Sequence, residues 1–179
     1  MDISKAFDSI SHNQLLNIFK SIGIVHKSFN LLKSYLHHRK QLVKISNTLS
    51  TELEIKNGVP QGTVLSPILY IIYVTALGNL ELQGKLFSYA DDTTLLISEN
   101  NWEKVEQSAE LDVYNINQWF LKHNLKLNFN KTKYITFSQD KRTQPKINTL
   151  KIHKNNCNKN NKDACEEIIR KNGMFKCKI

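Results

Sequence analysis

Residues 11–22 (SHNQLLNIFKSI) set Leu15, Leu16, Ile18, Phe19 and Ile22 on one helical stripe, with Ser11 as N-cap and Gly23 as the stop. A second helical period over 27–37 turns Phe29, Leu32, Tyr35 and Leu36 inward. The period then falls to two. Segments 41–46 (QLVKIS) and 52–56 (ELEIK) alternate apolar and polar around the polar stretch 47–51, which predicts a β-hairpin. Segment 57–62 (NGVPQG) breaks both periods with two glycines and a proline and predicts a loop. Ser66 followed by Pro67 predicts the start of a helix over 67–77, apolar nearly all round, as a helix enclosed within a domain would be.

Segments 85–89 and 93–98 read as short strands flanking Ala90, Asp91 and Asp92. A long amphipathic helix follows over 102–122, with Trp102, Val105, Ala109, Ile116, Trp119 and Phe120 as its inner stripe. Segments 125–128 and 134–137 read as further extended pieces. From about Gln139 the pattern stops, and 153–163 (HKNNCNKNNKD) holds five asparagines and three lysines with nothing to bury. The division expected is a domain over 1–138 and a basic, Asn/Lys-rich, disordered tail over 139–179. Strands mixed with helices, not strictly alternating with them, predict an α+β fold with a sheet covered by helices on one face.

Composition narrows the classes. The 179 residues are about one domain's worth, and 40% hydrophobic with 23% charged residues excludes wholesale disorder. The longest apolar run, 68–77, is half the ~20 residues that a bilayer crossing needs, and no signal peptide opens the chain. Cys157, Cys165 and Cys177 form no paired framework, which suits a reducing, intracellular compartment, nuclear or cytoplasmic. Together with His153 they match no compact zinc spacing, and His37-His38 suits a solvated helix end. The net charge of +9 is unevenly placed: residues 1–139 hold 14 basic and 12 acidic side chains, residues 140–179 hold 11 and 4. The excess sits on the tail, where it suits either a solvated end or phosphate-backbone binding.

The chemistry centres on Asp91-Asp92, two adjacent carboxylates at a tight turn between apolar segments. Their repulsion would be relieved by a divalent cation, and hard ions such as Mg²⁺ take oxygen ligands. Taken alone, the pair better suits a hairpin turn in which aspartate bonds its own backbone. A third carboxylate, Asp2, stands where a short strand would end. If that strand lies beside the hairpin, Asp2 would face Asp91, and the three acids would hold two Mg²⁺ about 3.5–4 Å apart.

In chain order, DISKAFD (2–8), GVPQGTVLSP (58–67) and YADD (89–92) resemble the first three palm motifs of reverse transcriptases, most similar to non-LTR retrotransposon enzymes of the jockey and LINE type. LNFNKTKYITF (127–137) resembles the lysine-bearing motif that follows. The resemblance implies a palm-like antiparallel sheet, truncated at both ends, since the family's fingers upstream and its primer grip and thumb downstream find no match here. It implies RNA-directed DNA polymerase activity, with Mg²⁺ (or Mn²⁺) held by Asp2, Asp91 and Asp92. Phe7 would be the ring that excludes a ribose 2′-hydroxyl. Gly58, Gln61 and Gly62 would lie near the templating base and incoming nucleotide, and Lys131 near the triphosphate. The implied partners are an RNA template with a DNA or RNA primer, deoxynucleoside triphosphates, and other retroelement domains. Two rivals remain open: an inactive remnant that at most binds nucleic acid, and another palm polymerase such as an intron- or retron-encoded enzyme. Asp2, one residue from Met1, is expected to sit on a fraying end.

Overall fold

The computed structural model describes residues 1–137, 149–153 and 166–174. In chain order its elements are β1 (Ile3–Ser4), α1 (His12–Ser21), α2 (His26–Leu36), β2 (Lys40–Gln41), β3 (Lys44–Ile45), β4 (Thr48–Leu49), β5 (Leu53–Glu54) and α3 (Leu65–Val74), which runs on as a 3-10 turn over Thr75–Asn79. Then come β6 (Lys85–Tyr89), β7 (Asp92–Leu96), α4 (Trp102–Lys122), β8 (Lys126–Leu127), β9 (Lys133–Thr136), β10 (Thr149–His153) and β11 (Glu166–Met174). The chain forms two compact units, each discontinuous in sequence. One comprises Met1–Ser4, Leu77–Lys122 and Lys126–Ile179; the other comprises Lys5–Ala76 and His123–Leu125.

In the unit that contains Met1, α4 is the scaffold. Its stripe buries Ala109, Val113, Ile116, Trp119 and Phe120, and it packs on β8 and β10. Ile3 of β1 and Leu127 of β8, paired antiparallel, are buried too. β6 and β7 form an antiparallel hairpin, β10 pairs antiparallel with β11, and β11 pairs parallel with β9. The helix over 102–122 has the bounds its periodicity predicts. The sheet departs from expectation in part: β1–β8 and β6–β7 are short antiparallel pairs linked by backbone bonds between Met1 and Thr93, while β9, β10 and β11 form a separate sheet in which one pairing is parallel. Residues 149–153 and 166–174, inside the segment expected to lack packing, are strands. The Asn/Lys-rich stretch 154–163 lies outside the described residues, as do Cys157, Cys165 and Cys177.

In the other unit, α1 packs against α2 and α3 and buries Leu15, Leu16 and Phe19, with Leu36, Leu69, Tyr70 and Tyr73 in the same core. Ser11 caps α1, its side chain accepting from the Gln14 amide. Two sequence expectations are corrected here. α3 begins at Leu65 and has no side-chain cap; the Ser66 hydroxyl instead donates to the Pro60 carbonyl and meets the Thr63 hydroxyl. Nor is α3 enclosed all round, because Ile68 and Ile71 are about half exposed. The predicted hairpin is an interrupted arm, Lys40↔Glu54, Gln41↔Leu53, Lys44↔Leu49 and Ile45↔Thr48, exposed along its whole length. Among the described residues no element covers its alternating side chains, so period two formed strands without a buried face.

Among the described residues no helix is long and apolar enough to cross a membrane. The burial pattern separates two outcomes of truncation. Ile116→Ala, at a fully buried site, is expected to cost about 2–5 kcal/mol of unfolding free energy. Ile45→Ser, on the exposed arm, is expected to change it by no more than about 0.5 kcal/mol. Urea denaturation followed by circular dichroism measures both.

Candidate active site

Asp2 is fixed by its backbone. The Met1 nitrogen donates to the Thr93 carbonyl, and the Thr93 amide returns a bond to the Met1 carbonyl at 3.3 Å. Two residues that exchange both bonds are a hydrogen-bonded antiparallel pair, so the next pair along is Asp2 opposite Asp92. Such a pair brings Cα atoms to about 4.5 Å with both side chains on one face. On the other edge, the Asn128 amide donates to the Asp2 carbonyl at 2.8 Å, and the Asp2 amide donates to the Thr132 hydroxyl at 3.2 Å. Asp2 is therefore pinned from both sides, against the expectation of a fraying end. Ile3, Thr93 and Leu127 are buried on the covered face.

The backbone register sets Asp2 opposite Asp92, the chain neighbour of Asp91. Asp92 is the first residue of β7 and pairs with Tyr89, while Ala90 and Asp91 form the two-residue turn. Asp2 thus faces Asp92, not Asp91. Among the described residues no three His, Cys, Asp or Glu side chains are grouped to hold a metal ion. The Asp2–Asp92 pair still has the right chemistry for Mg²⁺, which commonly takes one or two protein carboxylates and completes its shell with water and phosphate oxygens. Both carboxylates act on the Met1 amino group: burial pushes its pKa below the usual 8.0, and attraction to Asp92 and then Asp2 opposes the fall.

The hairpin tip is strained and its base is anchored. Ala90 has φ +52 while Asp91 does not have positive φ, the sign pattern of a II′ turn, whose first central position favours glycine. At the base, the Asp112 carboxylate accepts from the amides of Gln83 at 3.0 Å and Gly84 at 2.8 Å, although it is 1% exposed in the middle of α4. A Cβ on Gly84 would stand 2.7 Å from the Leu96 carbonyl oxygen, so strand and base share one close approach. Sequence reasoning missed Asp112. Its signal was an acid directly preceding Val113 on the apolar stripe. Lys131 is exposed on the turn after β8; its amide donates to the Asn128 side chain, and its neighbour Thr132 holds Asp2.

In the other unit, the segment 7–12 and the loop 57–62 are bonded together. The Val59 amide donates to the Phe7 carbonyl at 2.9 Å, and the Gly58 amide to the Ile10 carbonyl at 2.7 Å. His12 Nε2 donates to the Gly58 carbonyl at 2.7 Å, which specifies its tautomer. The backbones are so close that a Cβ on Gly58, itself at φ +85, would stand 2.8 Å from Asp8 Cα. Gln61 is exposed and its Nε2 donates to Asp8 Oδ1 at 2.8 Å. Gly62, at φ +80 with open space around it, is needed for backbone conformation. The half-buried Phe7 ring lies 5.1 Å from that of Tyr70. His12, 4% exposed, was also missed in the sequence, where only its place at the helix start marked it.

Two outcomes follow from these environments. Ala90→Gly is expected to raise stability by about 1 kcal/mol, because glycine carries no Cβ penalty at positive φ; thermal melting measures the gain. Burial pushes the His12 pKa below its usual 6.5, outweighing the Gly58 bond, and His37 and Arg39 push the same way. The unfolded chain therefore takes up the proton first as pH falls. His12's contribution is fully present above about pH 6.5 and declines below it, levelling off under the folded pKa. Urea midpoints from pH 7.5 to 5.5 should fall more steeply in wild type than in His12→Gln.

Residues 1–163 match the family model described as reverse transcriptase (RNA-dependent DNA polymerase). The chain is 32% identical over 152 residues to the probable RNA-directed DNA polymerase from transposon X-element of Drosophila melanogaster, covering 82% of this chain and 16% of that protein. It is 30% identical over 154 residues to the RNA-directed DNA polymerase from mobile element jockey of Drosophila funebris, covering 82% and 17%. A putative COX1/OXI3 intron 2 protein of Saccharomyces cerevisiae is 38% identical over 77 residues, covering 43% and 8%. The chain thus spans about a sixth of the length of the two transposon polymerases. With a family model matched over most of its length, and transposon polymerases similar over four fifths of it, the chain belongs to the reverse transcriptase family.

Proposed function

We propose that this chain is the carboxylate-bearing segment of a retroelement RNA-directed DNA polymerase. The observation that carries the reading is the reciprocal Met1–Thr93 bonding, which supports Asp2 beside Asp92 on one face of paired strands. In the reaction, a primer 3′-hydroxyl attacks the α-phosphate of a deoxynucleoside triphosphate, the new phosphodiester forms, and pyrophosphate leaves. Asp2, Asp91 and Asp92 are the metal-binding acids, Asp91 joining from the turn. Mg²⁺, or Mn²⁺ in its place, would lower the charge on the phosphates and favour the alkoxide of the primer end.

The remaining roles fall to the chain's own groups. Phe7, its ring backed by Tyr70, is the steric filter: it accepts hydrogen at C2′ and rejects oxygen. Gly58 shapes the loop near the nucleotide through its close approach to Asp8, Gly62 lets backbone approach the nucleotide closely, and Gln61 offers it an amide. Lys131 supplies positive charge, or a proton, to the departing pyrophosphate. A primed RNA template is held by its backbone and A-form shape more than by sequence. Other domains of the retroelement complete the enzyme.

Primer extension on poly(rA)–oligo(dT) tests the reading. Extension should need Mg²⁺ or Mn²⁺, stop on chelation, and fall by at least about 10²–10³-fold in Asp91→Ala, the loss typical of removing one electrostatic catalytic group. The remnant reading draws on the 11 basic and 4 acidic residues of 140–179. It would be favoured by no extension together with salt-sensitive RNA binding that disappears when 140–179 is deleted.

A further inference from the structure

We propose that Asp8 is a positioning residue that fixes which end of the Gln61 amide is offered to the nucleotide. The inference rests on the reading of Gln61 as a nucleotide contact and adds a group to which no role has been given. A carboxamide has a donor end and an acceptor end of nearly equal shape, and an exposed glutamine can present either. An ionised carboxylate only accepts. Gln61 Nε2 donates to Asp8 Oδ1 at 2.8 Å, so the nitrogen of this exposed side chain is turned to Asp8 and Oε1 is the end that remains to accept. The Oε1 end is then offered to a donor, a hydroxyl or N–H of the nucleotide, while the second Nε2 hydrogen can still donate.

Asp8 is suited to this because its backbone is not free to drift. The Asp8 amide donates to the Lys5 carbonyl at 3.0 Å, and the Val59 amide is bonded to the Phe7 carbonyl. Gly58 packs on Asp8 so closely that a Cβ would stand 2.8 Å from Asp8 Cα and 2.9 Å from its carbonyl oxygen. The carboxylate and the loop that carries Gln61 therefore belong to one bonded assembly, and the side-chain bond closes it. A bond that only tethered the loop would work equally well with asparagine at position 8. An orientation lock would not, because asparagine can donate to Oε1 as readily as it accepts from Nε2, and both amide orientations become available.

The test measures binding of dTTP with Mg²⁺ to the full chain in wild type, Asp8→Ala, Asp8→Asn, Gln61→Ala and the Asp8→Ala/Gln61→Ala double variant. The Gln61 side-chain amide is followed by ¹H–¹⁵N NMR. Gln61→Ala is expected to weaken dTTP by about 3- to 10-fold, the loss of one hydrogen bond, Asp8→Ala by part of that because the amide orientation is freed, and the double variant no more than Gln61→Ala. Asp8→Asn should fall between wild type and Asp8→Ala, with two amide environments for Gln61 in place of one. Asp8→Asn indistinguishable from wild type would overturn the orientation lock, as would Asp8→Ala binding dTTP normally while Gln61→Ala binds weakly. If Gln61→Ala binds like wild type, or wild type does not bind, the nucleotide reading itself fails and takes this inference with it. The Gln61 resonance in Asp8→Ala reports separately whether the side-chain contact exists in solution.

Discussion

The pairing of Met1 with Thr93 is the constraint on which the catalytic reading depends. Two backbone bonds between the same two residues leave only one antiparallel register, and that register assigns every side chain nearby to a face. A slip of one residue would turn Asp2 toward the covered side, where Ile3, Thr93 and Leu127 are buried, and desolvate a carboxylate. Asn128 and Thr132 hold the other edge of Asp2. The short strand is therefore bonded on both sides although only two of its residues, Ile3 and Ser4, count as strand.

A second theme is that polar groups set the positions of the functional segments, while the apolar core supplies the platform. Asp112, 1% exposed, places the base of the hairpin through two backbone amides. Leaving the buried Asp112 side chain without those donors would cost about 1–3 kcal/mol. His12 does the same for the loop 57–62 by donating to the Gly58 carbonyl, and Tyr73 gathers Gln14 and the His123 carbonyl around its hydroxyl. Each of these bonds is specific in direction, which hydrophobic contact is not, so each decides where a backbone segment points.

Much of the fold was legible along the chain where one face of an element is covered. The period over 102–122 gave the helix its bounds because Ala109, Ile116, Trp119 and Phe120 have a platform to pack on. The helix that Ser11 caps was legible for the same reason. The arm that runs from β2 to β5 shows the converse. Ile45 and Leu53 carry the alternation of a half-buried strand, yet both are exposed, because alternation states which side chains share a face and not whether anything covers it. The parallel pairing of β9 with β11 joins residues more than thirty positions apart and leaves no local mark.

The acids, the glycines and the loop were evident as residue types in order, and with them membership of the family, because chemistry depends on which side chains exist. Their partners were not. That Asp92 and not Asp91 lies across from Asp2 follows from which residue opens β7. That Asp8 holds Gln61 follows from a bond spanning fifty-three positions. Sequence alone determined the inventory of functional groups and the helices whose stripes repeat locally. Tertiary structure decided register and hydrogen-bond partnership, because both arise from contacts between distant segments, and local periodicity carries no record of which segments will meet.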